Sequence, residues 1–251
     1  MTATPLVLIP GNLQKAAHWL EFGYVGAFPN AYHVLAIDPL GHGLSDKPRD
    51  ANSYAPADVA ADVIAVLDAE GIATANLWGH SRGAAIAVNV AMLFPDRVAN
   101  VILGGYQFGA LPDPGARETV RQRVDALRRG DWQAFFDRVM EAFPEFGDPA
   151  IAGWFRGDND PVVGAAVMGG ALVGERVSLD LSRFRDRTLV YVGSEESWLQ
   201  PEGARDQLRK RCADAGVSLD VIEGVGHLQS FTQAGRVIPL VRRHLDVAGL
   251  P

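Results

Sequence analysis

The chain has 251 residues, 48% of them hydrophobic, a formal charge of −7 and a single cysteine, Cys212. That is enough apolar material for a sizeable core, and the acidic balance gives no electrostatic pull toward nucleic acid or an anionic membrane surface. One cysteine excludes an intrachain disulfide, no apolar run reaches the ~18 residues of a membrane span, and MTATPLVLIPGN has neither a basic n-region nor a long apolar h-region, so a cytoplasmic protein is expected.

Short apolar runs alternate with helical patterns along the chain. Residues 6–9 (LVLI) stop at Pro10-Gly11, and 33–37 (HVLAI) stop at Asp38. A helix is predicted over 55–70, then a strand over 76–78 that stops at Gly79, then a helix over 82–94. Strands follow at 98–103, 188–192 and 218–222, with helices predicted at 201–215 and 231–247. Strands separated by helices predict a mostly parallel, doubly wound α/β sheet of about six strands with helices on both faces.

Residues 111–186 break that rhythm. They hold no strand pattern, and Trp132, Phe135, Phe136, Val139, Met140 and Phe143 form the stripe of an amphipathic helix. The expected organisation is a core of 1–110 and 187–251 carrying a helical cap, or lid, of 111–186. The stripe is expected to pack the cap onto the core, with part of it lining an apolar pocket. The arginines Arg117, Arg121, Arg123, Arg128 and Arg129 are expected on a solvated face.

The chemistry concentrates in Gly79-His80-Ser81-Arg82-Gly83. A strand that turns at once into a helix strains its turning residue and needs small neighbours, which Gly79, Gly83, Ala84 and Ala85 supply. Such a turn exposes the Ser81 hydroxyl at a strand's carboxyl end, beside the unpaired N–H groups of a helix start. A serine hydroxyl is a weak nucleophile and needs a base. Of the six histidines, His227 lies between the last predicted strand and the last helix, again at a carboxyl end. His18 is placed to bind substrate or to pack beside Trp19, and His42 is read as structural. His33 opens a strand, His80 points away from Ser81, and His244 lies on the terminal helix. No H-E-x-x-H, ligand-spaced histidine pair or cysteine cluster occurs, so neither a metal nor a cofactor is expected.

The motifs LVLIPGN, VLAIDPLGHGLSDKP, WGHSRG, TLVYVGSEES and EGVGHLQSF, in this order, resemble those of the α/β-hydrolase superfamily, in particular its small esterases, lactonases and C–C hydrolases. The resemblance covers nearly the whole chain, and it implies an α/β-hydrolase fold without the family's first two strands. It also implies that the acid orienting His227 lies three residues after Gly193, at Glu196 where the family has aspartate, with Glu195 as the competitor. Pro10-Gly11 replaces the family's His-Gly, so the oxyanion amide of that loop would be Asn12, with the backbone of Arg82 as the second donor. Trp198 would pack the acid loop or face the pocket. The Arg82 side chain would steer a carboxylate-bearing substrate or point outward in a salt bridge.

The function expected is therefore a serine hydrolase cleaving a carboxylic ester or lactone of a small, partly apolar molecule through an acyl-enzyme. The same scaffold leaves open a C–C bond hydrolase, a lyase or cofactor-free oxygenase using His227 as base alone, and a ligand-binding receptor. A haloalkane dehalogenase would carry aspartate at position 81.

Overall fold

Each apolar run that ends at a turn signal becomes a strand of one sheet. In the computed structural model, which describes residues 4–28, 32–108, 114–170 and 182–247, the strands are β1 (Thr4–Ile9), β2 (Tyr32–Ala36), β3 (Ala75–His80), β4 (Val98–Gly104), β5 (Thr188–Gly193) and β6 (Ser218–Ile222). Their order is β2-β1-β3-β4-β5-β6 and every pairing is parallel. The doubly wound parallel arrangement is the one that the alternation of strands and helices predicts.

Because side chains alternate across a strand, the sheet feeds two cores. Val7, Ile9, Leu77, Val101, Leu103, Val190 and Val192 pack with α2 (Pro56–Ala69), α3 (Arg82–Leu93) and α8 (Ala204–Ala215). Leu6, Leu8, Trp78, Ile102, Leu189 and Tyr191 pack with α1 (Ala16–Glu21), the short α9 (Gln229–Thr232) and α10 (Ala234–Val247). Two details depart from the sequence pattern. The six residues of α1 are too few to show a helical period. The expected helix over 231–247 is divided at Gln233, whose φ of −90° and ψ of 58° are non-helical. Just before that break, the Tyr24 hydroxyl donates to the carbonyl of Phe231.

Between β4 and β5 the described elements are all helical: α4 (Pro114–Arg128), α5 (Trp132–Met140), α6 (Pro149–Asp158) and α7 (Pro161–Gly170), with short 3-10 turns. Phe135, Phe136 and Val139 of the predicted stripe are buried with Val124 and Leu127 of α4, Phe155 of α6 and Ala165 of α7. Leu13 and Leu228, from loops at the sheet's carboxyl end, belong to the same cluster, so the cap packs directly on the rim of the sheet.

Strand order reverses at β1: β2 lies on one side of it, and β3 to β6 on the other. A crevice opens at such a switch point, beyond the carboxyl ends of the strands. The loop after β1 and the turn after β3 both face it, and the turn is held by close approach. A Cβ on Gly83 would lie 2.0 Å from the carbonyl oxygen of Ile9, and one on Gly79 would lie 2.1 Å from that of Gly83. Both obstacles are backbone and cannot swing aside. Gly83→Ala is expected to destabilise the protein by about 3 kcal/mol or more, read from the midpoint of denaturant unfolding. An unchanged midpoint would show that the strand and helix have room to separate.

Candidate active site

Ser81 occupies the turn between β3 and α3 with a φ of 54° and a ψ of −116°. For a non-glycine residue this is a strained conformation, worth on the order of 1–3 kcal/mol, and the surroundings must impose it. They do so through both backbone groups of the residue. Ser81 N–H donates to the Gly104 carbonyl at 2.7 Å, while the Ser81 carbonyl accepts from the amides of Ala84 and Ala85. The hydroxyl is thereby turned out of the sheet.

His227 reaches it from the loop after β6. Its Nε2 lies 2.9 Å from Ser81 Oγ. Its Nδ1 lies 2.9 Å from Oε1 and 3.1 Å from Oε2 of Glu196, which is buried in the loop after β5. The tautomer consistent with both contacts has Nδ1–H donating to the carboxylate and Nε2 accepting from the serine hydroxyl. Trp198 Nε1–H donates to Glu196 Oε2 at 3.0 Å, so that indole belongs to the support of the acid. Glu195 is exposed, and its backbone amide is tied to the Val225 carbonyl. Of the two neighbouring glutamates, only Glu196 is brought to the imidazole.

Burial by itself disfavours the imidazolium of His227. The charge of Glu196, its hydrogen bond and the charge of Glu145 outweigh that effect, so the pKa stands above the ordinary 6.5. Glu145 comes from the cap, between α5 and α6. Its Oε1 accepts from the amide of Leu228 at 2.7 Å, the residue next to His227. Phe143, also from the cap, lays its ring 4.4 Å from the imidazole centroid. The cap therefore grips the histidine loop at two points, and neither contact is visible in the sequence.

The loop after β1 is drawn tight by Gln14, whose side-chain oxygen accepts from the Gly11 amide at 2.7 Å. Asn12 and Ser81 line the same cleft, and the amides of Asn12 and Arg82 donate to no other described residue. The Arg82 side chain takes neither of the two places expected for it. Its Nε is closed off from solvent, and the side chain lies outside the cleft lining, within electrostatic reach of Tyr54 and His42 and without an ion pair to a described carboxylate; burial lowers its pKa to about 10. Arg123 also departs from expectation: it lines the cleft instead of lying on a solvated face. Its Nη2–H donates to the Arg138 carbonyl at 2.9 Å, which turns that side of α4 toward α5.

Phe135, Val139, Phe143, Phe146, Phe155 and Met168 of the cap form the apolar wall of the cleft. The other histidines fall outside it, apart from His80. The His80 ring is buried 5.1 Å from that of His227, and its Nε2 lies 3.2 Å from Ser230 Oγ. His18 packs on Trp154 of the cap, with Nε2 accepting from the indole at 2.6 Å, and burial first of all lowers its pKa to about 4. His42 bonds the Leu40 carbonyl at 3.1 Å within its own turn. Among the described residues no group of three or more His, Cys, Asp or Glu is arranged to hold a metal ion. No helix among them is long and apolar enough to cross a membrane.

A doubly wound parallel sheet with a hydroxyl, an imidazole and a carboxylate in line at its switch point defines an α/β protein with a built polar site. The family model for the alpha/beta hydrolase fold matches residues 4–234, and the chain belongs to that family. The chain is 29% identical over 182 residues to epoxide hydrolase B of Mycobacterium tuberculosis, covering 69% of this chain and 50% of that protein. It is 38% identical over 121 residues to a 2-hydroxy-6-oxononadienedioate/2-hydroxy-6-oxononatrienedioate hydrolase of Burkholderia vietnamiensis, covering 45% of this chain and 41% of that one. These matches span half or less of those curated relatives. A thermophilic esterase from Thermogutta terrifontis shares the fold with a TM-score of 0.76 at 20% identity, over 98% of this chain and 91% of that chain.

Proposed function

We propose that the protein is a serine hydrolase that cleaves an ester or lactone of a small, partly apolar molecule through an acyl-enzyme. The observation that carries this reading is the unbroken line from Ser81 Oγ through the His227 ring to Glu196, with 2.9 Å at each junction. Ser81 Oγ attacks the acyl carbon as its proton passes to His227 Nε2, and Glu196 stabilises the imidazolium. The amides of Asn12 and Arg82 receive the oxyanion. His227 returns the proton to the leaving oxygen, then takes one from the water that releases the acid. Residues 111–186 act as the lid, and the apolar wall they provide favours an apolar acyl or alcohol portion.

Chemistry separates this reading from epoxide opening. Attack of a serine hydroxyl on an epoxide would leave an ether, which water and an imidazole do not cleave. Attack on an acyl carbon leaves an ester, which they do. The test is a panel of p-nitrophenyl esters of increasing acyl length, with lactones alongside. Turnover of at least one of them is expected, and none by a folded protein would overturn the hydrolase reading.

The base must be neutral to work, and its pKa is raised above 6.5, so kcat/KM is expected to rise with pH through a limb above that value. Glu145→Gln keeps a hydrogen-bond acceptor for Leu228 N–H but removes a negative charge that favours the imidazolium. The limb is then expected to move to lower pH. A limb that stays in place would show that the cap does not tune the base.

A further inference from the structure

Among the described residues that line the cleft, Arg123 is the single one of fixed charge, and no aspartate or glutamate joins it. Its guanidinium makes no ion pair with a described carboxylate. Glu141, the acid that acts on it electrostatically, is exposed just past α5, three residues beyond Arg138, and forms no ion pair with Arg123. Among the described residues it makes one hydrogen bond, from Nη2–H to the Arg138 carbonyl, while Nε, closed off from solvent, has no partner among them. Its Cζ lies 5.9 Å from the Phe143 ring centroid, and that ring lies 4.4 Å from the imidazole of His227. The cation therefore stands on the cap wall one aromatic ring away from the proposed base.

Removing a cation from water is costly unless it is paired. Burial lowers the pKa of this arginine, yet a guanidinium stays charged at neutral pH. A side chain serving only to tie α4 to α5 would need one donor and no charge.

We propose that Arg123 anchors an anionic end of the substrate, a carboxylate separated from the scissile acyl group by a short apolar spacer. This deepens the hydrolase reading and rests on the cleft being the substrate site. The apolar wall takes the spacer, Ser81 meets the acyl carbon, and the guanidinium supplies the donors that a carboxylate accepts. The substrate class is then an ester or lactone that also bears a free acid.

The test is calorimetric binding of 5-phenylvalerate and of uncharged 5-phenylpentanamide at pH 7.5. The acid is expected to bind the unaltered protein about 10–100-fold more tightly than the amide, the range of a charge-assisted hydrogen bond. Arg123→Met is expected to bring that ratio close to one while leaving amide binding within about threefold, and Arg123→Lys is expected to keep part of the preference. If Arg123→Met does not fold, Arg123→Gln, which retains a donor for the Arg138 carbonyl, serves with the same two outcomes. A ratio near one in the unaltered protein, or a preference that survives in the folded uncharged variant, would overturn the anchor. Neither ligand has to be turned over, so failure to hydrolyse neutral esters leaves the binding result standing. A flat ratio in a protein that does hydrolyse them defeats the anchor alone.

Discussion

Ser81→Ala is expected to lower kcat/KM toward the best ester of the panel by about 10^5-fold or more, with the fold and ligand binding preserved. The size follows from how the groups act together. His227 has no proton to take if the hydroxyl is gone, and Glu196 has no imidazolium to stabilise, so one deletion removes the benefit of all three. The substitution is small, and the backbone bonds that set the turn, Ser81 N–H to Gly104 and the Ser81 carbonyl to Ala84 and Ala85, do not involve the side chain. Alanine tolerates the positive φ about as poorly as serine, so stability should change little. The same variant distinguishes the competing chemistries. If His227 acted as a base alone, in a lyase or a cofactor-free oxygenase, Ser81→Ala would keep a good part of its activity toward the true substrate.

Glu196→Gln is expected to cost about 10^3–10^4-fold in kcat, while Glu195→Gln leaves it within about twofold. The amide is nearly isosteric, but with its oxygen held by Trp198 Nε1–H it turns its NH2 to the imidazole, a donor where Nδ1–H needs an acceptor. The ring then either loses that bond or turns to the tautomer whose Nε2–H faces Ser81, which cannot accept the hydroxyl proton. The charge is lost as well, so the imidazolium formed during attack lacks the group that holds its pKa above the ordinary value. Glu195 is exposed, and its backbone amide bonds to Val225. A large loss in Glu195→Gln with activity retained in Glu196→Gln would mean that the acid loop rearranges around the other glutamate.

The parts of the site that local sequence controls are legible in the chain itself. Ser81 needs a strand that ends in Gly79, a helix that starts at once, and Gly83 where Ile9 passes at backbone distance. Those requirements leave a signature within five residues. His227 and Glu196 lie in loops after β6 and β5, and short apolar runs ending in a turn locate both loops. What could not be read depends on how the cap packs. The stripe over 132–143 announces an amphipathic helix, yet nothing in it says that Phe143 will lie on His227 or that Glu145 will hold Leu228. Arg123 illustrates the limit well. Its neighbours in sequence include charged, exposed side chains, and only the rotation of α4 against α5 turns this one arginine inward. Arg82 fails in the opposite sense: it adjoins Ser81 in sequence, but its side chain stays out of the cleft lining, within electrostatic reach of Tyr54 and His42.

The most direct test of the proposed chemistry is where an electrophile bonds. After incubation with a fluorophosphonate, intact mass and peptide mapping should show one adduct per chain, carried by Ser81, formed quickly in the unaltered protein and very slowly in His227→Ala. A folded protein that takes no adduct, or takes it at another residue while Ser81 stays free, would contradict an activated serine at this site.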